Sequence, residues 1–322
     1  MTFLRFVFIS LALTVSVGAA RAEDCALKQV ASLAMSGAYP GRVVVDVSIA
    51  GKPRHFLVDT GGVFTSIYQD VADGMGLSTH AIDQSVEIYD VEGARSKRYT
   101  KVPDLTIGTM SSDDIPVLVE PRPPGSNRQI DGVLALDILS KFDLDFDFAN
   151  HKLNLISQDH CAGKTVYWSG YYTDADFELQ RGHIVLPMML DGKTVSATLD
   201  TGAVNTHIYE PTARRLFDLD SHAPGMEPIP GAPPDAVDQF RYRFKSLSIG
   251  GLAINNPTIY ILQDLALQSF AMNHVDKEDF DPIHATHLDQ TDMLLGMNVL
   301  SKLHLYVAYR EHKIYLTTAD AH

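Results

Sequence analysis

Basic side chains, thiols and long apolar runs are all scarce in this sequence, and each shortage excludes something. Lys and Arg number 26 against 40 Asp and Glu, a formal charge of −14, so nucleic acid and anionic membrane surfaces, both polyanions, are disfavoured as partners. After Ala20 no segment reads as a bilayer span. Cysteine is confined to Cys25 and Cys161, and the histidines fall in no His-Glu-x-x-His pattern, so neither a thiolate cluster nor a helical zinc motif is available.

The one apolar run, Phe6 to Ala20, follows Arg5 and ends in the small-residue site Ala20-Arg21-Ala22. It is short for a membrane anchor and reads as a signal peptide over residues 1–22, cut after Ala22, leaving a protein secreted or held in a periplasm. Cys25 is three residues beyond the cut, which argues against a lipid anchor. In an oxidising compartment the even count pairs Cys25 with Cys161 as a single disulfide. A length of 322 residues with 45% hydrophobic content suits two packed units better than one.

The chain also repeats itself. GRVVVDVSIAGKPRHFLVDTGGVFTSI, from Gly41 to Ile67, aligns without a gap on GHIVLPMMLDGKTVSATLDTGAVNTHI, from Gly182 to Ile208. Downstream, Leu134 to Leu155 matches Leu295 to Leu316, and between these blocks the stretch from Asp104 resembles the stretch from Ser246. A duplication fixes architecture more firmly than local propensity does. The predicted organisation is an N-terminal lobe over 23–157, a linker over 158–164 and a C-terminal lobe over 165–322.

Within each repeat, alternating apolar residues, a turn such as Ala50-Gly51-Lys52 and a return strand predict a hairpin that feeds an Asp-Thr-Gly loop. Short helices are expected at 68–75, 137–141, 210–217 and 298–302; the rest reads as β. Asp59 and Asp200 each end an apolar strand immediately before a glycine turn, a costly place for an unpaired carboxylate. Two such loops meeting about a pseudo-twofold axis would put the acids together, and two close carboxylates hold one proton between them. That pair supplies a base to activate water and an acid to support the oxyanion, with no metal or covalent intermediate. Thr60 and Thr201 offer hydroxyls across the loop pair, and Gly61 and Gly202 allow close backbone approach.

These features resemble the aspartic peptidases, in which each lobe carries two hydrophobic residues before Asp-Thr-Gly and a later hydrophobic-hydrophobic-Gly block. Here those later blocks are Val133-Leu134-Ala135 and Leu294-Leu295-Gly296. The lobes look retropepsin-like, joined in tandem in one pepsin-like chain. The resemblance implies an all-β, two-lobed acid-protease-like fold, each lobe a small barrel with short helices. It implies an aspartic-type endopeptidase with catalytic Asp59 and Asp200, supported by Thr60, Gly61, Thr201 and Gly202. Two positions depart from the pattern: Ala135 stands where Gly is usual, adding a methyl at a tight crossing, and Gly62 stands where Ala or Ser is common. Ser85 to Val102 reads as a hairpin around Glu92-Gly93, which the resemblance makes a flap over substrate with Tyr89 and Tyr99 as its candidate aromatics. The Pro-rich stretch from Pro224 to Pro234 in lobe 2 does not read as a second hairpin.

Weaker clusters have plainer explanations. Asp143, Asp145 and Asp147 alternate with Leu144, Phe146 and Phe148 and read as a strand with one acidic face, without the glycine a calcium loop needs. His274, Asp276, Asp279, Asp281, His284 and His287 read as a solvated loop. Trp168, Tyr171 and Tyr172 read as packing between lobes. The expected partner is a peptide or protein substrate bound by a monomer, with no nucleic acid, no membrane contact once the signal is cut, no cofactor and no metal. The alternative readings are a non-catalytic peptide-binding protein with an acid-protease fold and, third, a metal-dependent exported hydrolase.

Overall fold

The computed structural model describes residues 25–83, 88, 95–123, 125–161, 163, 166–168, 170–232, 238–263 and 291–319. The expected signal segment, Tyr89 and the His274 to His287 cluster lie outside the described residues. The molecule is mostly β and two-lobed, with a nine-stranded sheet in lobe 1, a ten-stranded sheet in lobe 2 and a six-stranded sheet to which both halves contribute.

Each lobe starts from the hairpin its sequence encodes. In lobe 1, Val44–Ile49 pairs antiparallel with Lys52–Val58. Val45, Val47 and Ile49 point into the core while Asp46 stays exposed, the period-2 pattern of a half-buried strand. The two-residue turn Ala50-Gly51 takes positive φ at both positions, 51° and 74°, the backbone that matches the right-handed strand twist. Lobe 2 repeats this with His183–Leu190, Lys193–Leu199 and the turn Asp191-Gly192 at 45° and 77°. Lys52 already belongs to the return strand.

The later repeat block then threads beneath the loop. Gly132–Leu134 runs parallel to Phe56–Val58, and Met293–Leu295 runs parallel to Ala197–Leu199. Each also pairs antiparallel with the strand leaving the Asp-Thr-Gly loop, Ser66–Tyr68 or His207–Tyr209. Asp59 N–H donates to the Leu134 carbonyl at 2.9 Å and Asp200 N–H to that of Leu295 at 3.0 Å. Both aspartates are thus fixed by backbone before their side chains act. Among the described residues four short helices follow the strands: α1 (Gln69–Met75), α2 (Leu136–Leu139), α3 (Glu210–Phe217) and α4 (Met297–Leu300). Helices α2 and α4 begin one residue earlier and end two earlier than the sequence suggests.

The shared sheet runs Gln29–Ala34, Lys152–Ile156, Asp143–Asp147, Leu303–Ala308, Lys313–Thr318, Thr173–Asp176. Its central pairing, Leu144 opposite Val307, joins the C-terminal hairpins of the two repeats. Cys25 and Cys161 form a disulfide with Cα atoms 4.9 Å apart, tying the segment before the first edge strand to the interlobe connection. No helix among the described residues is long and apolar enough to cross a membrane.

One expectation is borne out and extended, and two need correcting. Asp143 and Asp145 lie on a strand, but their side chains are fully buried: Asp143 meets His160 at 2.7 Å, and Asp145 meets His304 from the other lobe at 2.8 Å. The acidic face is therefore a paired interior one, as burial of charge demands. Trp168 packs on His304 of its own lobe with ring centroids 4.1 Å apart and against a cluster that includes Ile156 of lobe 1, whereas Tyr172 packs on Trp168 and Tyr315 within lobe 2 and Tyr171 is 97% exposed. The Pro-rich stretch of lobe 2 does form a hairpin strand, Met226–Pro228 pairing with Asp238–Arg243. Pro228 is tolerated because it lies on the sheet edge, where no ladder N–H is required.

Candidate active site

The two Asp-Thr-Gly loops meet where the lobes touch, and they hold each other symmetrically. Thr60 N–H donates to Thr201 Oγ1 at 3.1 Å, and Thr201 N–H to Thr60 Oγ1 at 3.0 Å. Each hydroxyl then donates to a carbonyl of the opposite strand, Thr60 to Leu199 at 2.8 Å and Thr201 to Val58 at 2.7 Å. Both threonines are fully buried, so all four hydrogen bonds form away from water, where an unpaired hydroxyl would be costly.

This grip brings the carboxyls together. A Cβ placed on Gly61 would lie 2.4 Å from Asp200 Cγ, and one on Gly202 would lie 2.5 Å from Asp59 Cγ. Glycine is needed here because each loop's turn faces the other loop's carboxyl. Asp59 Oδ1 accepts from Gly61 and Gly62 N–H at 2.8 and 3.0 Å; Asp200 Oδ1 accepts from Gly202 and Ala203 N–H at the same two distances. Burial pushes both carboxyls up, and the Asp59 charge helps raise Asp200 to about 7. The two carboxyls act on each other's titration, and a pair this close holds one proton between its members. The pair thus carries one acid and one base.

A further layer orients the loops, and the sequence alone did not single it out. In lobe 1, Asp137 Oδ1 accepts from Thr65 N–H at 3.0 Å and from its hydroxyl at 2.6 Å, and Thr65 Oγ1 accepts from Ala135 N–H at 3.1 Å. In lobe 2, Asn298 Oδ1 accepts from Thr206 N–H at 2.7 Å and Thr206 Oγ1 accepts from Gly296 N–H at 3.0 Å. The signal was present in the repeat: 65 matches 206 and 137 matches 298. Beside the Asp59 loop opens an apolar cavity of about 430 Å³ lined by Phe64, Ile82, Ile88, Tyr99, Val117 and Ile138. Tyr99 sits on the strand Arg98–Val102, paired with His80 and Leu118, at the root of the expected flap.

Residues 45–138 and 186–299 each match the aspartyl protease family. The chain belongs to the aspartyl protease family. Its fold is similar to that of the aspartic proteinase from Irpex lacteus, with a TM-score of 0.52 at 14% identity, over 92% of this chain and 98% of that one. No curated protein matches the chain. The two departures from the family pattern fall at one crossing. Lobe 2 has Ala203 in the loop and Gly296 beneath it; lobe 1 has Gly62 in the loop and Ala135 beneath it. A Cβ on Gly62 would come 3.5 Å from that of Ala135 and 3.1 Å from Asp59 Oδ2. One methyl is carried at each crossing, by opposite partners; the approach to Ala135 is ordinary van der Waals contact, and the tight neighbour of a Cβ at 62 is Asp59.

Proposed function

We propose that the chain is an aspartic-type endopeptidase that hydrolyses peptide bonds with Asp59 as base and Asp200 as acid. The observation that carries this is the mutual facing of the two carboxyls, each seated on two N–H groups of its own loop and opposite the other loop's glycine. A water between them loses a proton to ionised Asp59 and attacks the scissile carbonyl carbon. Asp200 donates its proton to the carbonyl oxygen, giving a neutral tetrahedral diol. Collapse then returns one hydroxyl proton to Asp200 while Asp59 protonates the leaving nitrogen, which restores both carboxyls. The apolar cavity beside the Asp59 loop suits an apolar substrate side chain, since its lining offers dispersion contact and few polar partners.

The disulfide supports a working site in an oxidising, exported compartment, and the presence of both loops in one chain supports a monomer. The test is peptide hydrolysis by the mature chain across acidic to mildly alkaline pH. Asp59→Asn and Asp200→Asn should each fold and lose at least ~10²-fold in kcat. The wild-type rate should be bell-shaped in pH, its alkaline limb reflecting loss of the shared proton near the value of about 7 for Asp200. Near-wild-type cleavage by either folded variant would refute the dyad, and a wild type that binds peptides but cleaves none would make the chain a binding protein. Activity that chelators abolish would point instead to metal-dependent chemistry.

A further inference from the structure

The two lobes set the same strands around their loops but not the same side chains. In lobe 1 Leu118 pairs with Ser66 on one side and Tyr99 on the other; in lobe 2 Tyr260 pairs with His207 and Arg241 in the same register. The lining of the lobe 1 cavity therefore has a counterpart in lobe 2, position by position. Phe64 corresponds to Asn205, Tyr99 to Arg241, Pro116 to Thr258 and Leu118 to Tyr260, while Ile138 corresponds to Val299 and stays apolar. Phe64 is 47% exposed although it lines the cavity, so apolar surface is left there for a ligand to cover. In lobe 2 Arg241 brings no net charge, because its Nε meets Glu227 Oε2 at 3.0 Å. What remains is hydrogen-bonding capacity, since the Asn205 amide and the Tyr260 hydroxyl each donate and accept.

We propose that the cleft takes unlike side chains at two-fold-related positions: a large apolar one on the lobe 1 side of the scissile bond and a neutral hydrogen-bonding one, of the Asn, Gln, Ser or Thr type, on the lobe 2 side. This rests on the peptidase reading above. The threonine grip relates the two Asp-Thr-Gly loops symmetrically, so positions at equal distance from the dyad fall on opposite sides of the bond to be cut. A polar side chain in the lobe 1 cavity would give up water for an apolar wall. An apolar one beside Asn205 and Tyr260 would strip water from an amide and a hydroxyl without replacing their hydrogen bonds. A charged one of either sign meets a like charge in the Arg241–Glu227 pair. Phe64 and Asn205 are the specificity-determining residues, each five residues beyond its own aspartate.

The experiment digests a mixture of random-sequence peptides with wild type, Phe64→Asn and Asn205→Phe, each variant installing the residue that the other lobe carries there, and reads the residues flanking each cut by mass spectrometry. Phe64→Ala and Asn205→Leu stand in for a variant that does not fold. Wild type should enrich large apolar residues on one side of the cut and neutral hydrogen-bonding residues at the matching position on the other. Phe64→Asn should lose the apolar preference by about 10-fold or more in kcat/KM while keeping the polar one; Asn205→Phe should turn the polar preference apolar and leave the first unchanged. A merely structural role would lower the rate for all peptides alike. The same preference on both sides in the wild type, or preferences that the folded variants leave unmoved, would overturn the inference with hydrolysis intact. If the wild type cleaves nothing, calorimetric binding of peptides with a reduced, uncleavable bond reads the same two preferences. Binding with the asymmetry rejects hydrolysis and upholds the inference; binding without it, or no binding, rejects both.

Discussion

Asp200 couples the site to the stability of the whole chain. Its ordinary value of 3.8 rises to about 7 on folding, chiefly through burial and then through the charge of Asp59. Below 3.8 folded and unfolded chains both hold this proton. Between 3.8 and about 7 only the folded chain holds it, so stability falls as pH rises, and the loss is complete above about 7. The loss is on the order of a few kcal/mol. Asp200→Asn removes it, so chemical denaturation should find the variant gaining on wild type from acidic to neutral pH; a constant difference would contradict the burial argument. The methyl exchange beneath the loop is testable at the same scale. Gly62→Ala should destabilise the chain by about 1–3 kcal/mol through crowding of Asp59. Adding Ala135→Gly reproduces the lobe 2 arrangement, and because the two Cβ positions are in ordinary contact the double-mutant cycle should be additive within about 0.5 kcal/mol. A larger coupling would mean that one methyl excludes the other.

At the scale of elements, what could be read from the sequence was what local pattern and duplication encode. Alternation plus a two-residue turn announced both hairpins, and the repeat announced that Asp59 and Asp200 hold equivalent positions in their lobes. Its matched pairs also held Thr65 with Thr206, residues whose importance appears only once the loops cross. Long-range partners were the hidden part. Asp143 and Asp145 alternate as a solvated strand face would, yet the groups that let them be buried, His160, His304 and the Tyr309 N–H, lie 17, 159 and 166 residues away. Pro228 obscured a real strand because edge position, which excuses a missing N–H, is a property of the sheet and not of the segment. The N-terminal edge strand Gln29–Ala34 raises a separate question of anchoring. Among the described residues its one strand partner is Lys152–Ile156, and the Cys25–Cys161 bond joins residues 136 apart in sequence beside it. Cys25→Ser with Cys161→Ser should lower stability by about 2–4 kcal/mol, read as a lower denaturation midpoint. An unchanged midpoint would mean that strand pairing alone secures this edge.

The whole molecule behaves as one unit if the shared sheet is what keeps the two loops in register. Asp145 is the test of that, because it sits at the seam with its partners drawn from both sides. Its Oδ1 meets His304 Nε2 of lobe 2 at 2.8 Å, and its Oδ2 accepts from Asn154 Nδ2 at 2.8 Å and from the Tyr167 hydroxyl. Removing one member of a buried set leaves the others desolvated and unpaired, which costs about 3–5 kcal/mol. Asp145→Ala should therefore destabilise the chain by that amount although it touches neither Asp59 nor Asp200. Because the threonine grip requires both lobes at once, peptide hydrolysis and lobe packing should be lost together in a single denaturation transition. Two separate transitions, with activity lost in the first, would show lobes that fold independently and dock weakly. Since both Asp-Thr-Gly loops belong to one chain, the rate per chain should not depend on protein concentration, with monomers in sedimentation across the same range. A rate per chain that rises with concentration alongside a dimer would mean that the seam is completed by a second copy, and the single-chain site would be wrong.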